Sequence, residues 1–211
     1  MTLPITNAMM ATFLELLGKR LDSGVLTTED SIRYTFFAAL LRHGIQPEQV
    51  VLEHRHKTVS RARIDTAVFD NSGKPAAAVE FKYDRANPGG SSQPLPQKAG
   101  AAFADLRRLA LLPDFPERYF IYVMDRELAR YLASPRNGLY QVFGLAACAS
   151  ITLAEDYFSD RPMTFRKRLG EWPGEVVLEC VGAQDLPREH CVRIYAIDRE
   201  AGLKPNSEFV P

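Results

Sequence analysis

Residues 61–83 read RARIDTAVFDNSGKPAAAVEFKY, and the fold turns on them. Two runs rich in β-formers, 61–69 and 76–83, flank Asn71-Ser72-Gly73-Lys74, the composition of a tight hairpin turn. With Ser72 and Gly73 as the central turn residues, Asp65 stands opposite Glu80. Opposed residues of a hairpin have Cβ atoms about 5 Å apart on one face of the sheet. Glu80 and Lys82 are two apart, so both side chains also share a face.

Working outward, residues 50–58 form a further strand candidate ahead of the hairpin. Before it, Met9, Met10, Phe13, Leu16, Leu17 and Leu21 recur at helical spacing, with Gly24 beyond them. A second helix starts at Thr27-Thr28-Glu29-Asp30, where Thr27 and Asp30 fit a capping box. Ile32, Phe36, Phe37, Leu40 and Leu41 are its apolar face. After the hairpin, residues 87–96 (NPGGSSQPLP) read as a surface loop, since Pro and Gly deny it helix and sheet. Residues 97–112 then read as a helix, 118–124 (RYFIYVM) as a buried strand and 127–132 as a helix start. The order is helix, three-strand meander, helix, strand, helix, a mixed α/β domain. Farther on, 175–182 and 191–197 read as a closing strand pair, in a C-terminal α+β extension of the same domain. The organisation expected is a single domain over 1–211: an N-terminal helix in 1–26, a core in 27–135 and the extension in 136–211.

Two carboxylates as close as Asp65 and Glu80 repel each other unless something cationic lies between them. A divalent cation reverses the sign of that interaction. Mg²⁺ or Mn²⁺ takes oxygen ligands, typically one or two carboxylates with water and substrate phosphate. A lysine beside such an ion orients or helps deprotonate a metal-bound water, which makes the trio suited to cutting phosphodiesters. Glu29 falls near Phe36 and Leu40 on the core-facing stripe of its helix, so it needs a metal or a basic partner. Its other reading is a first-turn acid paired with Arg33.

This arrangement resembles the PD-(D/E)XK nuclease superfamily, the restriction-endonuclease-like fold. The resemblance covers residues 27–135 and rests on Asp65, Glu80 and Lys82, with Glu29 at the position of an acid that many members carry on the first core helix. Ile64 stands where the eponymous proline would be, and residues 136–211 match no part of that core. The resemblance implies a Mg²⁺- or Mn²⁺-dependent nuclease acting on DNA, of a restriction, repair or anti-phage kind. Asp65, Glu80 and the Phe81 carbonyl would hold the metal and Lys82 would position water. It also allows a homodimer and an operon-encoded partner such as a methyltransferase or helicase. The competing reading is a non-catalytic nucleic-acid- or protein-binding module that keeps the fold, its acids neutralised by Arg61 or Arg63.

The balance of 26 basic against 26 acidic residues excludes a generally basic nucleic-acid coat, so any such surface is a local patch. Two patches qualify: Arg55, Lys57, Arg61 and Arg63 beside the acids, and Arg166, Lys167 and Arg168 (with Arg161) farther on, where Phe165 and Trp172 lie near. His54 and His56 share a strand face but lack a third ligand, and His43 and His190 stand alone. Cys148, Cys180 and Cys191 form no CxxC pair. Their odd number fits a reducing, cytoplasmic setting. Cys180 and Cys191 are expected as near-neighbours across the last hairpin. No apolar run reaches the roughly 20 residues of a membrane span, and Glu15 interrupts the N-terminal apolar stretch.

Overall fold

The computed structural model describes residues 5–57, 59–86 and 94–198. Of the loop expected at 87–96, residues 87–93 lie outside the described residues, as does Thr58. The chain is mixed α/β, with a seven-stranded mixed sheet and, among the described residues, six α-helices. The elements run α1 (Asn7–Asp22), α2 (Glu29–Arg42), β1 (Val50–Arg55), β2 (Arg63–Phe69), β3 (Pro75–Asp84), α3 (Leu95–Ala110) and β4 (Glu117–Asp125). There follow α4 (Arg126–Leu132), α5 (Tyr140–Phe143), β5 (Ser150–Leu153), α6 (Met163–Leu169), β6 (Val176–Leu186) and β7 (His190–Asp198).

The strand order is β1-β2-β3-β4-β7-β6-β5. Only β3 and β4 are parallel, joined by the crossover through α3; every other neighbouring pair is antiparallel. The closing strand pair therefore extends the same sheet, with β7 hydrogen-bonded to β4. Helices cover both faces, which explains why β3 is apolar almost throughout instead of alternating. On one face α1 and α2 pack Phe13 and Phe36 edge-on against Phe81 of β3, with centroids 5.4, 5.2 and 6.5 Å apart. On the other, Phe103 of α3 contacts Phe143, Phe158 and Phe165.

Local details differ from the sequence expectations in instructive ways. The hairpin turn is not the two-residue Ser72-Gly73 turn. Asp70 N–H donates to the Lys74 carbonyl, Gly73 takes a φ of +76°, and the Asp70 side chain accepts from the Ser72 and Lys74 N–H groups. A bulge between Val68 and Phe69 absorbs the extra residue. The register beyond it, Val68↔Ala77 to Thr66↔Val79, is then the expected one. The second helix is capped one residue later than expected, by a reciprocal Thr28–Ser31 box, because the Thr27 hydroxyl donates to the Val25 carbonyl. Glu29 is thereby the first helical residue. Cys180 and Cys191 are not neighbours: Cys180 faces Tyr195 and Cys191 faces Asp185, and all three cysteines are free thiols. Trp172 is a core residue whose indole N–H donates to the Leu153 carbonyl, and Phe165 is equally buried, so neither offers a stacking platform. Among the described residues no helix is long and apolar enough to cross a membrane.

At the start of β4, burial pushes the Glu117 carboxyl up to about 7 from an ordinary 4.5, against a partial offset from the Ile5 N–H. An acid with a raised folded-state pKa makes stability fall as pH climbs between the two values. Glu117→Gln should therefore match the parent below about pH 4.5 and melt at a higher temperature above pH 7. Thermal melts across that range check this, and a variant less stable at pH 8 would mark Glu117 as a salt-bridged carboxylate.

Candidate active site

The site forms where β2 and β3 part. Their ladder ends at Thr66↔Val79, one pair short of Asp65 and Glu80. Meanwhile β1 stays paired with β2 as far as Arg55↔Arg63, and β3 with β4 as far as Asp84↔Met124. Phe81 would thus lose the backbone acceptor for its buried N–H. The Asp65 carboxylate supplies one, with Oδ2 accepting at 2.7 Å. The Phe81 carbonyl faces the same opening, because a strand residue presents its N–H and C=O to the same neighbour. Next to Asp65, Glu53 has the left-handed φ of 54° and no ladder partner in β2, an irregularity that aims its side chain at the same place.

Three cations meet the acids. Arg33 of α2 donates to Asp65 Oδ1 at 2.8 Å and to Glu53 Oε1 at 2.5 Å, and its Nη1 lies 3.6 Å from Asp30. Arg108 of α3 grips Glu80 with two bonds, Nε to Oε1 at 3.2 Å and Nη2 to Oε2 at 3.0 Å, and pairs with Asp105 at 2.8 Å. Lys82 lies 3.5 Å from Glu29 and 3.9 Å from Asp105. Glu29 accepts the Tyr83 N–H at 3.1 Å. It is therefore met by a lysine and a backbone donor, and the Arg33 expected as its helical partner turns to Asp65 instead.

Helix α3 runs antiparallel to β3, and its sheet-facing positions meet the strand in reverse order. Lys98 bonds the Arg85 carbonyl, Asp105 faces Lys82 and Arg108 reaches Glu80. Asp105 and Arg108 were not legible as site residues. Their i, i+3 spacing within an apolar helix was the one available signal.

The electrostatics follow from burial. Glu80 is 1% exposed, and burial raises its pKa well above the ordinary glutamate value, reinforced by Asp65 and Asp105 and opposed by Arg108. Burial likewise raises Asp105 to about 6, and it raises Glu29. Burial alone would lower Lys82, but Asp105 and Glu29 outweigh it and hold the ammonium charged. Burial would also lower Arg108, and Glu80 with Asp105 raises it instead.

The donor set around the opening (Asp65, Glu80, the Phe81 carbonyl) is all oxygen, which suits Mg²⁺ or Mn²⁺ rather than a softer metal. Six carboxylates, Glu29, Asp30, Glu53, Asp65, Glu80 and Asp105, face only three cations, Arg33, Lys82 and Arg108. That surplus of negative charge fits a further cation. As they stand, the side chains are ion-paired: among the described residues no three His, Cys, Asp or Glu converge to hold a metal.

The other residues singled out from sequence lie around this centre. Arg55, Lys57, Arg61 and Arg63 are exposed near the β1–β2 end beside Asp65. They do not neutralise the acids, for Arg63 donates to the Glu53 carbonyl and Lys57 pairs with Asp114 at 2.5 Å. Arg166, Lys167 and Arg168 are exposed on α6, which packs on α3, whereas Arg161 is tied to the Asn137 and Gly138 carbonyls. His54 sits between Phe69 and Phe115, and His56 is buried against the Arg108 carbonyl. His43 bonds Thr12, and His190 stacks on Tyr83 with its Nε2 3.0 Å from the phenol oxygen. Comparison with known proteins adds nothing: no family model, no curated protein and no solved structure matches the chain.

A buried charge pair is costly to break from one side. Arg108→Met should destabilise the metal-free protein by about 3 kcal/mol. The double variant Arg108→Met/Glu80→Gln should recover much of that loss. A urea double-mutant cycle measures the coupling, and additive effects would show the pair to be energetically idle.

Proposed function

We propose that the chain is a divalent-metal-dependent nuclease of the PD-(D/E)XK type, its core spanning residues 27–135 and its substrate DNA. The observation that carries this is the Asp65 carboxylate bonded across the parted strands to the Phe81 N–H. An acid from β2 and the Glu80-Phe81-Lys82 run of β3 meet around one opening, with Glu29 from α2 beside them. The order α2-β1-β2-β3-α3-β4-α4 supports it too, since it is the helix, three-strand, helix, strand order of that superfamily.

In this reading Asp65, Glu80 and the Phe81 carbonyl would hold the metal. Mg²⁺ held there would supply charge stabilisation to the phosphate and lower the pKa of water beside it. Lys82, kept cationic by Asp105 and Glu29, would orient the attacking water and face the charge that develops on the phosphate. Glu29 fixes the ammonium from the α2 side and Asp105 from the α3 side. Arg33 and Arg108 hold the acids in place before the ion arrives. The exposed Arg55, Lys57, Arg61 and Arg63, with Arg166, Lys167 and Arg168, are backbone-phosphate contacts on either side.

One observation favours a second reading, a binding module that keeps the fold without cutting. Asp65 and Glu80 each have a complete arginine partner, as purely structural acids would. The two readings part in one experiment. With Mg²⁺ or Mn²⁺ the parent should cut DNA, and EDTA should stop it. Asp65→Ala should lose cutting together with calorimetric Mn²⁺ binding. Lys82→Ala should bind Mn²⁺ nearly as the parent does while the chemical step slows by about 10²-fold. A parent that binds no Mn²⁺ and cuts nothing leaves the binding module standing.

A further inference from the structure

Beyond the C-terminal ends of β3 and β4 a second feature opens on the α3 side of the sheet. A groove of about 470 Å³ runs between α4, α5 and the β6–β7 hairpin. Its walls are apolar, with Met124, Ala129 and Phe143 among them, and its charged lining is Arg126, Arg130 and Arg193 against the single acid Asp185. Asp185 is 81% exposed and lies 3.7 Å from Arg126, so it cancels little of that charge. Arg193 is held by the Leu145 carbonyl, which fixes its guanidinium. Arg130 is exposed and has no ion pair or side-chain hydrogen bond among the described residues. In a chain whose total charge balances, this is a local positive groove with one of its arginines, Arg193, held in place.

Its place relative to the site gives it meaning. Lys82, Tyr122 and Arg193 stand in one row across β3, β4 and β7, as their pairings Lys82↔Tyr122 and Tyr122↔Arg193 show. Two strand spacings separate the lysine from the arginine, about 10 Å, the rise of about three nucleotides along one strand of a duplex. Tyr122 is buried, so the route between them passes over the strand ends, where Asp84 pairs with Met124 of the groove and exposed Arg85 lies beside Asp125. Arginine is the side chain best shaped to take phosphate oxygens in pairs.

We propose that this groove binds the sugar–phosphate backbone of the nucleic acid to one side of the bond placed at Lys82, with Arg126, Arg130 and Arg193 as phosphate contacts. This rests on the nuclease reading for what the groove serves, but its test does not depend on cutting.

Binding of a fluorescein-labelled duplex is followed by anisotropy in EDTA over a range of salt, with inorganic pyrophosphate as competitor. Arg130→Glu should weaken the parent's affinity at least about tenfold and lower the slope of log K against log salt. Arg130→Gln should fall between the two. Lys19→Glu, an equal charge reversal on α1, should change affinity far less, which separates the groove from net charge. Equal losses from Lys19→Glu and Arg130→Glu, or a parent slope kept in Arg130→Glu, would overturn the proposal. So would a groove that takes pyrophosphate in an Arg130-dependent way while duplex binding ignores it, since its ligand would then be a free anion. An Arg130-dependent duplex affinity in a protein that cuts nothing with Mg²⁺ would uphold the groove and defeat the nuclease reading instead.

Discussion

The early end of the β2–β3 ladder is the constraint on which the rest of the site depends. A buried N–H without an acceptor costs about 1–3 kcal/mol, and Phe81 is nearly fully buried. Asp65 meets that demand with a carboxylate, which brings a charge into the protein and creates a second demand. Arg33 answers it, and Arg33 in turn draws in Glu53 and Asp30. On the other side of β3 the same logic links Glu80 to Arg108 and Arg108 to Asp105. Lys82 lies between the two groups, reaching Glu29 from one helix and Asp105 from another. One irregularity in strand pairing thus organises a polar cluster contributed by α2, β1, β2, β3 and α3.

Such a cluster keeps its geometry only if the elements carrying it are held independently. The two aromatic cores do this. Phe36 and Phe81 pack α2 against β3 from one side, and Phe103 fixes α3 from the other through Phe143, Phe158 and Phe165. The bulge at the hairpin serves the same end, because without it a one-residue slip would carry Asp65 to the opposite face. This packing buries the carboxylates, which raises Glu80 and Asp105, and the neighbouring acids add to the shift.

Much of the fold was legible because strand and helix periodicity is written locally. The hairpin, the crossover helix and the strand after it stand close to where residues 61–132 suggest. The register near Asp65 also came out as read, although through a different turn: the bulge compensates for the longer loop, and nothing in Asn71-Ser72-Gly73-Lys74 reveals that cancellation. The Thr28–Ser31 cap was missed in favour of Thr27–Asp30 because both pairs have capping chemistry and the choice depends on the path of the preceding loop. The acids of the cluster were visible as a motif, whereas their partners were not. Arg33 and Arg108 are ordinary helical arginines until α2 and α3 dock on opposite faces of one strand. Phe165 and Trp172, which lie near Arg166, Lys167 and Arg168 in the sequence, belong to the core, Phe165 because α6 packs on α3 and Trp172 with its indole N–H on the Leu153 carbonyl.

The central claim is that the parted ends of β2 and β3 make a cation site out of acids now held by arginines. The most direct test is a crystal structure of the protein grown with Mn²⁺ and read in the metal's anomalous signal. The account predicts one peak bounded by the Asp65 and Glu80 carboxylates and the Phe81 carbonyl, with Lys82 near it and at least one of Arg33 and Arg108 displaced from its acid. An Mn²⁺-saturated crystal with no peak there, and with the Arg33–Asp65 and Arg108–Glu80 pairs intact, would contradict it.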